Sequence, residues 1–129
     1  MQHLLRLADE QRLRIVERPG RTRGGFDPVT RTIRLSPGMS ARTTRSVLAH
    51  ELGHAELGHD LVPARRRRQE RQADEWAACR LISPGAYAEA EALRGPHLAS
   101  LAFELGVTIE LVTAYQRLLR QGAIPVATA

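Results

Sequence analysis

The sequence predicts an α+β fold, with a small antiparallel hairpin packed on a helical core and a helix-turn-helix-like tail. Three observations carry that expectation. Residues 22–35 hold two short runs on either side of Asp27-Pro28-Val29-Thr30, and the second, Arg31-Thr32-Ile33-Arg34-Leu35, alternates with the period of a strand. Beyond Ser40, apolar residues recur at helical spacing. Near the C-terminal end, Ala102-Phe103-Glu104-Leu105-Gly106-Val107-Thr108, followed by Val112, has the small, glycine and apolar positions of two helices meeting at a short turn.

In chain order, residues 2–12 read as a short helix with Leu4, Leu5 and Ala8 on one side. Leu13-Arg14-Ile15-Val16-Glu17 alternates loosely and stops at Pro19-Gly20, a turn signal. Thr22–Phe26 and Arg31–Leu35 form the hairpin, with Ile33 and Leu35 facing one way and Thr32 and Arg34 the other; Ser36-Pro37-Gly38 closes it. Ser40 is placed to cap a helix over 41–57, because its hydroxyl can accept an amide that the helix start leaves free. Val47, Leu48 and Leu52 give that helix its apolar stripe, and Gly58 can end it in a left-handed turn. The Arg65–Arg68 run reads as solvated surface, or as the first turns of the next helix, in preference to a nucleic-acid patch. The next helix carries Glu70 and Asp74 and stops near Ser83-Pro84-Gly85. Thr108 can cap the last helix.

Composition bounds the rest. At 129 residues the chain is one compact domain, or one with a small helical appendage. Hydrophobic residues make up 43%, enough for a core, while 4% aromatic residues make that core one of Ala, Leu and Val. The net charge of +5 permits contact with nucleic acid or an acidic partner without establishing either. One cysteine, Cys79, excludes an internal disulfide, and its Ala-rich helical setting favours a small buried hydrophobe over a nucleophile. Met1-Gln2-His3-Leu4-Leu5-Arg6 leads into a charged segment, and no run approaches the roughly 18–20 apolar residues of a membrane span. The expected placement is cytoplasmic, without a membrane partner.

His50-Glu51-Leu52-Gly53-His54 is the most informative motif. On a helix, positions i and i+4 share a face, so both imidazoles can reach one Zn²⁺ at about 2.0–2.1 Å. Glu51, rotated about 100° from His50, is badly placed to ligate that ion but well placed to take a proton from a water that the ion acidifies. A catalytic zinc needs a third protein ligand. Glu70, in Glu70-Arg71-Gln72-Ala73-Asp74-Glu75-Trp76, is the favoured source, with Asp74 or Glu75 as alternatives. Asp74, one turn beyond Glu70, can instead accept the second N–H of a ligand imidazole and orient it. Taken alone, these acids could simply pair with arginines such as Arg66 and Arg71 on a solvated helix face.

Together these segments resemble the ImmA/IrrE family of metallopeptidases. The resemblance rests on the hairpin, on Leu48-Ala49-His50-Glu51-Leu52-Gly53-His54, on Glu70-x-x-Ala73-Asp74-x-Trp76-Ala77-Ala78 with Leu81-Ile82-Ser83-Pro84, and on the helix-turn-helix-like tail. It implies a zincin-like core over residues 1–92, with 93–129 as a helical segment packed on it. The activity implied is that of an intracellular zinc endopeptidase that cleaves a helix-turn-helix repressor of a mobile element or stress response. His50, His54 and Glu70 would be metal ligands and Glu51 the general base. The sequence departs from the family at Gln72, where many members have glutamate, at Asp74, where many have asparagine, and in a short link from His54 to Glu70.

Further expectations concern substrate and alternatives. The strand of Ile33 and Leu35 is a candidate edge on which an extended peptide could add. Tyr87, His59 and His97 are candidate oxyanion donors, though a structural role is favoured for each. The competing function is a zinc-containing DNA-binding or interaction regulator without turnover, whose structural zinc would be closed by His59 or His97. Sequence-specific DNA binding is not expected, because the helix after Thr108 begins with Ile109-Glu110 and has an apolar body.

Overall fold

The apolar patterning resolves into six helices and one three-stranded sheet in the computed structural model, which describes residues 1–124. Helix α1 (Gln2–Glu10) turns Leu4 and Ala8 inward. Leu5, expected beside them, is 44% exposed. The buried stripe runs Leu4, Leu7, Ala8 at i, i+3, i+4, which leaves Leu5 a step of about 100° off it.

Strands β1 (Arg14–Glu17), β2 (Gly24–Asp27) and β3 (Thr32–Leu35) lie in the order β1-β3-β2. The expected hairpin is β2–β3, antiparallel, with Phe26 opposite Ile33. Its turn is fixed by Asp27 Oδ1, which accepts from the Val29 and Thr30 amides at 2.9 and 3.4 Å. On the other side β1 runs parallel to β3, pairing Ile15 with Ile33, so the sheet is mixed. This changes the expectation for the docking edge. β3 is the central strand, paired on both sides, with Ile33 fully buried; the strand left open beside the next helix is β2. Arg34 on β3 secures the crossover loop, donating to the carbonyls of Arg18 and Thr22 at 2.9 and 2.7 Å.

Helix α2 (Ala41–Glu56) starts at Ser40, whose Oγ accepts from the Thr43 amide at 3.1 Å, a cap worth about 1 kcal/mol. From Ser46 to Ala55 only His50 escapes full burial, because the sheet, α1 and α3 (Arg66–Leu81) enclose this helix. The link to α3 is short and tied by Asp60, which accepts from the Val62 amide, Arg65 and Gln69. Arg66, Arg67 and Arg68 form the exposed first turn of α3. The two helices touch backbone to backbone. A Cβ added at Gly53 would lie 3.0 Å from the Ala73 carbonyl oxygen and 3.2 Å from Ala73 Cα.

Helix α3 ends at Leu81, and Ser83 then caps a helix that the sequence reading did not identify, α4 (Pro84–Arg94), through the Ala86 amide at 3.1 Å. Residue 93, where the tail was expected to begin, lies in its last turn. Cys79 is exposed rather than buried. The inward stripe of α3 is Ala73, Ala77 and Ala78, and Cys79 falls off it. Burial of part of its side chain and the charge of Glu75 raise the thiol pKa, which keeps it an unreactive thiol.

Helices α5 (Leu98–Leu105) and α6 (Ile109–Arg120) meet at 104° through Gly106, whose φ of +67° suits the left-handed turn. Leu111, Val112, Ala114 and Tyr115 bury α6, chiefly against α3. Thr108 occupies the cap position of α6 but makes no side-chain cap. The turn is held instead from α2: Ser46 Oγ accepts from the Thr108 amide at 3.1 Å, and Arg45 donates to the carbonyls of Leu105 and Gly106. Among the described residues no single helix is long and apolar enough to cross a membrane.

Candidate metal centre

The centre forms where α3 crosses α2. One turn of α2 separates His50 and His54, and their Nε2 atoms lie 3.1 Å apart. Glu70, from the second turn of α3, straddles them, with Oε2 at 3.1 Å from His50 Nε2 and Oε1 at 2.9 Å from His54 Nε2. Three donor groups thus converge in a triangle with sides near 3 Å. Ligands on a tetrahedral Zn²⁺ at about 2.0–2.1 Å stand roughly 3.3 Å apart, so small adjustments would admit the ion. The close helix contact at Gly53 and Ala73 is what brings Glu70 within reach.

The far nitrogens of both rings are also engaged. His50 Nδ1 lies 2.6 Å from Asp74 Oδ1, one turn along α3 from Glu70. His54 Nδ1 lies 2.8 Å from His59 Nδ1, and His59 Nε2 lies 2.9 Å from Gln72 Oε1. His59 is therefore behind the His54 ring, on the side away from the triangle, and is not positioned to close it as a fourth ligand. The other candidates raised from sequence lie elsewhere. Glu75 pairs with Arg117 at 3.0 Å. Tyr87 is buried on α4, donating to Glu91 and accepting from Gln116, and stacks on Tyr115. His97 is the exposed residue before α5. Neither Tyr87 nor His97 lines the clefts beside Glu51.

Electrostatics mark this cluster as a place for a cation. Burial alone would depress His50, but the hydrogen bonds it donates to Asp74 and Glu70 and the charge of Glu51 carry its pKa up to about 10 from 6.5. Hydrogen bonding by His50, the largest influence on it, holds Glu70 well below the ordinary carboxylate range. In the absence of a metal ion a proton on His50 balances the acids around it. Glu51 is only 6% exposed, and burial raises its pKa, against the lowering influence of His50 and His54. One of its carboxylate oxygens and one ring nitrogen each of His50 and His54 lie within 4.8 Å of one another. A buried acid whose pKa is pushed upward beside a cation-seeking triangle has the character of a proton acceptor.

Two clefts open on either side of Glu51. One, of about 400 Å³, runs from Gly24, Gly25 and Phe26 of β2 across to Val62 and Gln69. The other, of about 240 Å³, reaches Glu110 and Leu111 at the start of α6. Gly24 matters here. A Cβ on it would stand 2.5 Å from Val47 Cγ1 and 3.2 Å from Glu51 Oε2, so only glycine lets the strand lie so close to this carboxylate.

A histidine pair and a buried glutamate on one helix, crossed by an acid-bearing helix beneath a sheet edge, define a metallopeptidase-type domain. Residues 8–115 match the family described as the IrrE N-terminal-like domain, a peptidase family, and the chain belongs to it. No curated protein matches the chain.

Proposed function

We propose that the protein is a zinc-dependent endopeptidase acting inside the cell on a helix-turn-helix transcriptional repressor, with His50, His54 and Glu70 as ligands and Glu51 as general base. The observation that carries this reading is the convergence of two Nε2 atoms and the Glu70 carboxylate, at 2.9–3.1 Å, beside a buried Glu51. Bound there, Zn²⁺ would supply Lewis acidity, polarising a scissile carbonyl and lowering the pKa of an attacking water toward about 7.

The chain's own residues do the remainder. An extended peptide adds to the open edge of β2 by main-chain hydrogen bonds, which reads backbone shape more than side-chain identity. Gly24 brings that edge against Glu51, so the scissile bond lies over the carboxylate. Glu51 takes the proton of the water and returns it to the leaving amine, a transfer that its raised pKa favours. Asp74 holds the His50 ring by Nδ1, leaving Nε2 directed at the triangle.

The test separates ligation from chemistry. The wild type should bind one zinc per chain and cleave a co-encoded repressor. Glu51→Gln should keep the zinc and lose at least about a hundredfold in cleavage, within the range of a lost general base. Glu70→Ala should lose both. Retained cleavage by Glu51→Gln at matched zinc content would remove Glu51 from the mechanism.

A further inference from the structure

The two histidines of the triangle are held from behind by different chemistry. A carboxylate faces His50 Nδ1, whereas a second imidazole faces His54 Nδ1. Two Nδ1 atoms 2.8 Å apart need one proton between them. Gln72 Oε1, 2.9 Å from His59 Nε2, can only accept, so the His59 proton sits on Nε2. His59 Nδ1 is then a lone pair, and His54 must donate from its own Nδ1. That leaves the lone pair of His54 on Nε2, the atom aimed at Glu70 and His50. In the reverse arrangement, His59 would donate to His54 Nδ1 and the His54 proton would sit on Nε2, where a metal ion could not bind.

The chain is shaped to deliver this contact. Gly58, at φ +66°, turns the backbone sharply after α2, and the His59 amide closes on the His54 carbonyl at 2.9 Å. His59 is only 8% exposed, sealed between α2 and α3.

We propose that His59, seated by Gln72, is a positioning residue that fixes His54 in the tautomer able to take a metal ion. The proposal rests on the metallopeptidase reading above. It differs from the Asp74–His50 contact in adding no negative charge, so His54 gains orientation without a second acid behind it.

The experiment measures zinc affinity of the full chain by chelator competition, alongside thermal unfolding of the metal-free protein. His59→Leu should bind zinc about 10–100-fold more weakly, the usual cost of losing such a partner. His59→Asn should recover most of the loss, because its Oδ1 can accept near where Nδ1 did. A purely structural role would instead make affinity follow metal-free stability, without favouring Asn over Leu. In zinc-loaded wild type, ¹⁵N spectra of the histidines should place the His54 proton on Nδ1 and the His59 proton on Nε2. Those spectra decide the matter even if His59→Leu does not fold. A proton on His59 Nδ1, or a folded His59→Leu within about threefold of wild type in affinity, overturns this proposal alone. Failure of the wild type to bind zinc overturns the metallopeptidase reading as well.

Discussion

His50 carries a proton that a metal ion would have to displace, and this gives the site a pH signature. Its pKa rises on folding from 6.5 to about 10, so the stability it contributes is fully present below 6.5 and is lost as pH climbs toward 10. Glu51 acts in the same direction: burial raises its pKa, so the fold pays for its charge once pH passes the ordinary carboxylate value. Glu70 acts oppositely, its contribution being present above that value and lost in acid. The metal-free protein should therefore lose resistance to urea as pH rises from 6.5 toward 10. With saturating zinc the trend should reverse, since deprotonating His50 favours ligation. A metal-free protein that gains stability over this interval would contradict the assigned His50 environment. The pairing of His50 with His54, and the offset of Glu51 between them, were legible because helical spacing sets both. Glu70 stood only ahead of Asp74 and Glu75, and it is the crossing of α3 over α2 that brings its carboxylate to the two rings. The contact of His59 with His54 was not, since it depends on the turn at Gly58 and on which face of α3 Gln72 occupies.

Between elements, the decisive contact is Gly53 against Ala73. It has no hydrophobic signature and reads in sequence only as a glycine inside a helix. In a helix interior, glycine costs about 1 kcal/mol relative to alanine, and here that cost is offset by letting α3 approach closely enough for Glu70 to span both histidines. Gly53→Ala should leave overall stability nearly unchanged, as the propensity gain offsets crowding against the Ala73 carbonyl at 3.0 Å. Zinc affinity should nevertheless fall several-fold as Glu70 is displaced; unchanged affinity would mean that the helix spacing does not set the site. The strand order was illegible for a related reason. Alternation marked β3 as a strand with a buried face, but full burial of Ile33 is a property of a central strand, and only the parallel pairing with β1 puts it there. Helix α4 was missed because Ser83-Pro84-Gly85 reads as a stop, whereas Ser-Pro is also a strong helix start.

Across the whole molecule, the tail has the outline of a DNA reader but spends its polar groups on its own fold. The 104° crossing of α5 and α6 and the left-handed Gly106 are helix-turn-helix geometry. A recognition helix must offer free polar side chains to base edges. On α6, Arg117 is bound to Glu75 at 3.0 Å, Gln116 to the Tyr87 hydroxyl at 3.1 Å, and Glu110 to Arg23 at 3.2 Å. The last pair joins the tail to the loop entering β2, beside the cleft that reaches Glu51. Releasing α6 to enter a groove would expose Leu111, Val112 and Tyr115 and undo the contacts of Ser46 and Arg45 on α2 with the turn before α6. The tail is therefore a wall of the metallopeptidase-type domain. The net charge of +5 still provides non-specific attraction to DNA. Binding to the promoter of a co-encoded repressor should be weak, indifferent to sequence, and largely lost as salt rises to about 0.15–0.2 M. Tight, sequence-selective binding that survives that salt would require α6 to leave α3, and would place a DNA-binding regulator ahead of the peptidase.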